Sequence, residues 1–253
     1  MKIITWNINS INARFAILTK VLEKHSPDVL MLQETKSQDI NFPEFEIKAL
    51  GYEVAFRGQK SYNGVAVLTK KKPETTLIDI PGYPDANARF CQVEIDDIVF
   101  IDIYAPNGNP VPSEKFVYKL AWHEAMNKHL KKLQSKGKQI ILGGDFNICP
   151  TKIDVHDFER NKNDALCQPE SIKHYNRLIN MGFVDIFRMF NTDPEQYTFW
   201  GYRHDAFNAN RGWRIDFFLL TPEIAEKAKK CWVDADFRAM EKPSDHTCLI
   251  LEI

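Results

Sequence analysis

With 253 residues, 44% hydrophobic and 26% charged, the chain has a globular composition and enough apolar content for a large core. Formal net charge is −1 and the sequence pI about 6.7, so no global positive field exists, and a polyanion must be held by local basic groups, aromatic rings and metal ions. The five cysteines are widely spaced, form no zinc-type pair and read as reduced thiols, and no apolar run approaches a membrane span, so a cytoplasmic protein without a membrane partner is expected.

The chain starts directly in a strand pattern. Lys2, Ile4, Trp6 and Ile8 take one face, and Ile3, Thr5, Asn7 and Asn9 the other. Phe15, Leu18, Val21 and Leu22 recur at helical spacing up to a stop at Ser26-Pro27. A nearly continuous apolar strand follows and ends in the carboxylate Glu34. Strand, helix and strand within about thirty residues predict a crossover with parallel strands, which places Asn7 and Glu34 at neighbouring C-terminal strand ends. Residues 52–57 and 64–70 read as strands joined by a hairpin loop carrying Lys60, a candidate phosphate contact. A second hairpin, 90–95 with 98–104, ends in Tyr104-Ala-Pro-Asn107-Gly, where the turn lifts Tyr104 and Asn107 out of the sheet.

Ser113 opens the longest helix, striped by Trp122, Met126, Leu130 and Leu133; the lysines at its C-terminal end read as a solvated face. Ile140-Ile-Leu-Gly-Gly-Asp145-Phe-Asn147 then forms a short buried strand. Its Asp and Asn, two residues apart on extended chain, can aim at one point. In isolation the same residues describe an Asx turn closing a strand. Residues 149–169, with His156, read as a long polar connection, followed by helices near 170–181 and 184–190. The stretch 197–213 interleaves aromatic residues with Arg and Asn, a mixture that suits stacking on bases and contacts to phosphates. In Arg214-Ile-Asp216 an acid enters an apolar run and needs a cationic or donor neighbour. Asp245 and His246 then precede the last strand.

Asn7, Asn9, Glu34, Tyr104, Asp145, Asn147, Asp216, Asp245 and His246 therefore all fall at strand ends or adjacent turns. Carboxylate and amide oxygens favour Mg²⁺ or Mn²⁺ over zinc. A hard-metal site with a His–Asp pair suits attack of activated water on a phosphodiester.

Five ordered motifs, Thr5-Trp-Asn7-Ile-Asn9, Leu32-Gln-Glu34-Thr-Lys36, Gly143-Gly-Asp145-Phe-Asn147, Gly212-Trp-Arg-Ile-Asp216 and Lys242-Pro-Ser-Asp245-His246, resemble the exonuclease III-type AP endonucleases over essentially the whole chain. The resemblance implies an α/β four-layer sandwich of the DNase I-like kind, with two facing mixed β-sheets flanked by helices, in a single catalytic domain over 1–253. It implies hydrolysis of duplex DNA 5′ to abasic sites, with 3′→5′ exonuclease and 3′-end repair activity. The expected partner is double-stranded DNA with abasic or 3′-blocked lesions, and the expected state a monomer.

Carried onto this sequence, the resemblance makes Glu34 the main metal ligand, within a contact set of Asn7, Asp145, Asn147, Asp245 and His246. Asp145 would position or deprotonate the attacking water, Asn147 would steady the oxyanion, and Tyr104 would bind phosphate or assist the leaving group. His246, oriented by Asp216, would contact the scissile phosphate or act as base. Asn9, Lys60, Asn107, Phe207 and Trp213 would contact DNA, Phe207 and Trp213 by lining the pocket for a flipped-out abasic sugar. One departure stands out: Asn107-Gly-Asn-Pro110 is neutral where several family members carry a basic residue. A superfamily phosphohydrolase acting on a non-DNA phosphodiester is the alternative reading.

Overall fold

A computed structural model describes all residues, Met1–Ile253. Twelve strands divide into two mixed sheets. The first is ordered β11-β12-β1-β2-β4-β3 and the second β5-β6-β7-β8-β10-β9. The strands are β1 (Lys2–Asn7), β2 (Val29–Gln33), β3 (Glu53–Arg57), β4 (Val65–Thr69), β5 (Thr75–Leu77), β6 (Phe90–Ile95), β7 (Ile98–Tyr104), β8 (Gln139–Asp145), β9 (Val184–Asp185), β10 (Asp216–Leu220), β11 (Lys230–Asp234) and β12 (Cys248–Glu252).

Period-two alternation explains the layers. Ile3 of β1, Val29 and Met31 of β2, Phe100 of β7, Ile141 of β8 and Phe218 of β10 meet in one apolar cluster between the sheets. The opposite faces pack on helices. Ile4, Trp6 and Ile8 meet the helix Phe15–His25, while Val99, Ile140 and Leu142 meet the helices Glu114–Gln134 and Pro169–Asn180. The result is the expected helix–sheet–sheet–helix sandwich.

The two parallel pairs, β1 with β2 and β7 with β8, are those bridged by the helices Phe15–His25 and Glu114–Gln134. Four C-terminal strand ends therefore gather at one pole. Helix boundaries follow local chemistry. Ser26 leaves the first helix in the left-handed region at φ 42°, and the Ser113 side chain accepts from the amide of Phe116 to start the long one. Strand β8 needs its glycines. A Cβ on Gly144, at φ +134°, would lie 2.1 Å from the Ile103 carbonyl oxygen, and one on Gly143 would lie 2.7 Å from the Met31 sulfur.

Two expectations require correction. The 149–169 connection contains three short helical turns, 152–154, 158–161 and 165–167, and buries Asp154 completely. The helical piece expected over 184–190 begins as the two-residue edge strand Val184–Asp185, and the helix occupies Ile186–Phe190.

Candidate active site

Strands β1, β2, β7 and β8 deliver Asn7, Glu34, Tyr104 and Asp145 to the same pole. Antiparallel pairing of β10 with β8 sets Asp216 directly opposite Asp145. The turn before β12 adds Asp245 and His246, tied down where the Ser244 hydroxyl donates to the Asn7 carbonyl at 2.6 Å.

The contacts are short and specific. One Asn7 amide nitrogen donates to Glu34 Oε1 at 2.9 Å and to Asp145 Oδ2 at 3.0 Å, spanning two carboxylates. His246 faces Asp216 through Nδ1 at 2.8 Å and Asp145 through Nε2 at 3.7 Å. The Asn147 amide group donates to the Ala105 carbonyl at 2.9 Å, and its oxygen accepts from Asn107 at 3.2 Å. The Asx turn is also present, because the Asn147 backbone N–H donates to Asp145 Oδ1 at 2.9 Å. Asn9, Glu34 and Asn147 sit at φ 47°, 52° and 49°, a left-handed region that non-glycine residues enter at a cost.

Burial and charge set the protonation states. Burial alone would depress the His246 imidazole, but Asp216, with Asp145 and Asp245 beyond it, overrides this and holds the ring protonated well above its ordinary value. Asp145 is pushed up by burial; His246 opposes this, while Asp216 and Glu34 add to it. Burial would also raise Glu34, yet the Lys36 ammonium 2.7 Å away and the Asn7 bond together hold it below the usual range. Tyr104 is held well above the ordinary phenol value by burial, reinforced by the charges of Glu34 and Asp145.

A divalent cation fits this chemistry. Glu34 and Asp145 offer hard carboxylate oxygens bridged by the Asn7 amide, whose nitrogen faces both of them while its oxygen accepts from the Asn9 N–H. Ligand atoms of Asp145, Asp216 and His246 also lie within 4.8 Å of one another. A protonated imidazole, however, has no lone pair to give, so the Glu34 side of Asp145 is the better seat.

A model of the Endonuclease/Exonuclease/phosphatase family matches residues 4–246. The chain belongs to the endonuclease/exonuclease/phosphatase family. This is a family of metal-dependent nucleases, and the chain is a phosphodiester hydrolase of its exodeoxyribonuclease III and AP endonuclease branch. It is 36% identical to exodeoxyribonuclease III of Haemophilus influenzae, covering 97% of each chain. The structure of an AP endonuclease from Archaeoglobus fulgidus superposes with a TM-score of 0.96 at 36% identity, over 100% of this chain and 99% of that one. A Neisseria 3′ phosphatase, NExo, bound to product DNA hairpin gives 0.97 at 32% identity with the same coverage.

Beside the carboxylates of this family member lies a cavity of about 340 Å³. Leu166, Phe199, Trp213 and Ile215 form its apolar side, with Asn107 and Asp164 among its polar groups. Phe207 is not among the lining residues, contrary to expectation. Its half-buried ring packs edge-on to Trp200 at 5.1 Å and beneath the Arg238 guanidinium. Asn9 is engaged within the site, donating to Asp245 at 2.9 Å, and Lys60 stands exposed in the 58–63 loop without an ion pair.

Three further residues contribute to the site. Lys36 neutralises Glu34, and its place two residues beyond that carboxylate in the same motif is the available signal. The Tyr202 hydroxyl accepts from Asn9 at 3.1 Å and donates to the Pro243 carbonyl at 3.0 Å, bracing the turn that carries Asp245. Lys119 is fully buried on the helix Glu114–Gln134, and its signal is a cation at helical spacing from Trp122 and Met126.

Proposed function

We propose that the chain is a DNA-repair phosphodiesterase that cleaves duplex DNA 5′ to abasic sites and trims or unblocks 3′ ends, assisted by Mg²⁺ or Mn²⁺. The observation that carries this reading is the position of Asp145. It sits between the Asn7–Glu34 pair and the charged His246–Asp216 pair, beside a cavity with apolar walls at Phe199 and Trp213. A sugar that has lost its base is cheap to extrude from the stack and presents little but ring and phosphate to such a cavity.

In the proposed chemistry, water attacks phosphorus, its proton passes to Asp145, and the bond from phosphorus to the 3′ oxygen breaks. Asp145 suits the task because its raised proton affinity brings it towards the working pH. His246, protonated and oriented by Asp216, donates to a phosphate oxygen rather than serving as base. Asn147 has one amide hydrogen left after its bond to Ala105 and steadies the charge that develops on the phosphoryl oxygens. Tyr104, kept neutral, donates to the departing 3′ oxygen, which finally takes a proton from solvent. A cation held by Glu34, Asp145 and Asn7, with Asp245 nearby, would withdraw charge from the phosphate and steady the leaving oxygen.

The whole chain 1–253 acts in this reading as one catalytic domain, monomeric and cytoplasmic. No helix is long and apolar enough to cross a membrane. The neutral Asn107–Pro110 loop favours a loose grip on product, since Asn109 is turned inward onto Asp164. The test compares rates on an abasic duplex, a recessed 3′ end and a 3′-phosphate, with and without chelator. Mg²⁺-dependent turnover on at least one of them is expected. No turnover on any, with cleavage of a non-DNA phosphodiester instead, overturns the DNA assignment.

A further inference from the structure

Helix Glu114–Gln134 turns its buried stripe towards the second sheet, and Lys119 lies on that stripe without exposed surface. An ammonium in such a place is costly unless partnered, and no carboxylate forms an ion pair with it. Its partners are two backbone carbonyls. Nζ donates to Asn107 O at 3.0 Å and, more closely still, to Asn147 O. These belong to the two loops whose side chains meet at the site, Asn107 donating to Asn147 at 3.2 Å.

Filling space does not require a charge here, since a methionine of similar length packs without desolvating an ammonium. What the amine adds is a pair of N–H donors aimed at two backbone carbonyls of the site loops. Asn147 needs such a restraint, because it is held at φ 49° and its amide must point at one atom. Gly108 completes the bracket. At φ +92° it presses on the lysine stem, and a Cβ there would lie 2.6 Å from Lys119 Cδ.

We propose that Lys119 is a positioning residue that clamps the Asn107 and Asn147 carbonyls from behind and so fixes the direction of the Asn147 amide. The inference rests on the hydrolytic reading of the site given above. Lys119 touches neither substrate nor reacting atoms and acts through Asn147.

The test uses the full chain with an abasic-analogue duplex and Mg²⁺. It measures kcat and KM, DNA affinity by fluorescence anisotropy in EDTA, and thermal stability, for Lys119→Met, Asn147→Ala and the double variant. The expected result is a kcat loss of about tenfold or more for Lys119→Met, with KM and metal-free affinity within about twofold. On the Asn147→Ala background the same change should cost less than about twofold, because the clamp then has nothing left to aim. If Lys119→Met does not fold, Gly108→Ala, which displaces the lysine stem and keeps its charge, takes its place in the cycle with the same expectations. A folded variant with unchanged kcat, or losses that multiply fully with Asn147→Ala, overturns the proposal. Absence of metal-dependent cleavage by the unmodified protein would instead overturn the hydrolytic reading itself.

Discussion

Two buried charge clusters stand two residues apart in sequence, around Arg214 and around Asp216, and they are built on opposite terms. Arg214 donates to Asp154 at 2.7 Å and pairs with Asp185 at 2.9 Å. Arg188 and Thr151 supply Asp154 with further bonds, and the Tyr175 hydroxyl donates to Asp185 at 2.7 Å. Burial would raise Asp154, but the Arg214 charge and these bonds hold it below the usual carboxylate range. Around Asp216 the balance is left open. Its Oδ1 is buried without a partner, and Asp145 opposite is held above its ordinary value. A satisfied cluster ties the 149–169 segment to the sheet. The other leaves one carboxylate oxygen unpartnered and a second acid raised chiefly by burial, whose charged form a bound cation would favour.

The sharpest way to break this comparison is to neutralise each acid in turn. Asp145→Asn should lower turnover by roughly a thousandfold or more while metal-free DNA affinity stays within about twofold, read by single-turnover cleavage and anisotropy. A comparable loss of binding would make Asp145 a structural residue. Arg214→Met should do the reverse, destabilising the fold by about 3–5 kcal/mol in a urea titration, because Asp185 is left buried without its cation and Asp154 keeps only Arg188. Turnover per folded molecule should change far less.

The clusters should also answer pH with opposite signs. Asp154, depressed in the fold, contributes stability above the unfolded carboxylate value that is lost as pH falls through its folded value. Asp145 is raised, so its favourable contribution is present below the ordinary carboxylate range and disappears as pH rises through the folded value. In EDTA at about pH 8, Asp145→Asn should therefore be more stable than the unmodified protein by on the order of 1 kcal/mol, a gain that vanishes by about pH 4. Asp154→Asn should be less stable at the higher pH. Equal signs for the two would remove the contrast. The smallest effect expected is for Lys60→Ala, which should weaken DNA binding a little and reduce the slope of log affinity against log salt by about one.

These contrasts explain what could be read in advance. Strand ends are legible because an apolar run that stops at Glu34 or Asp145 marks both a strand and its exit, and the first helical crossover fixes the parallel pairing of β1 with β2. The need of Asp216 for a partner followed from its burial in an apolar run, and His246 supplies that partner. Arg214 was harder. Its partner Asp154 lies 60 residues away in a polar stretch whose composition is that of a surface loop. Phe207 shows a different limit: an aromatic-rich loop announces stacking, and nothing in residue type says whether a ring faces the ligand or a neighbouring Trp200. Lys119 is visible only as an exception to helical periodicity, and the reason for it lies in two carbonyls contributed by the loops after β7 and β8.

The most direct test of the account is the mapped product from a duplex carrying one tetrahydrofuran abasic analogue, incubated with Mg²⁺ and, separately, with EDTA. The account predicts a single Mg²⁺-dependent incision immediately 5′ to the lesion, leaving a 3′-hydroxyl, and none with Asp145→Asn. Incision that persists in EDTA or with Asp145→Asn, or no incision by folded protein on this or a 3′-blocked end, would contradict it.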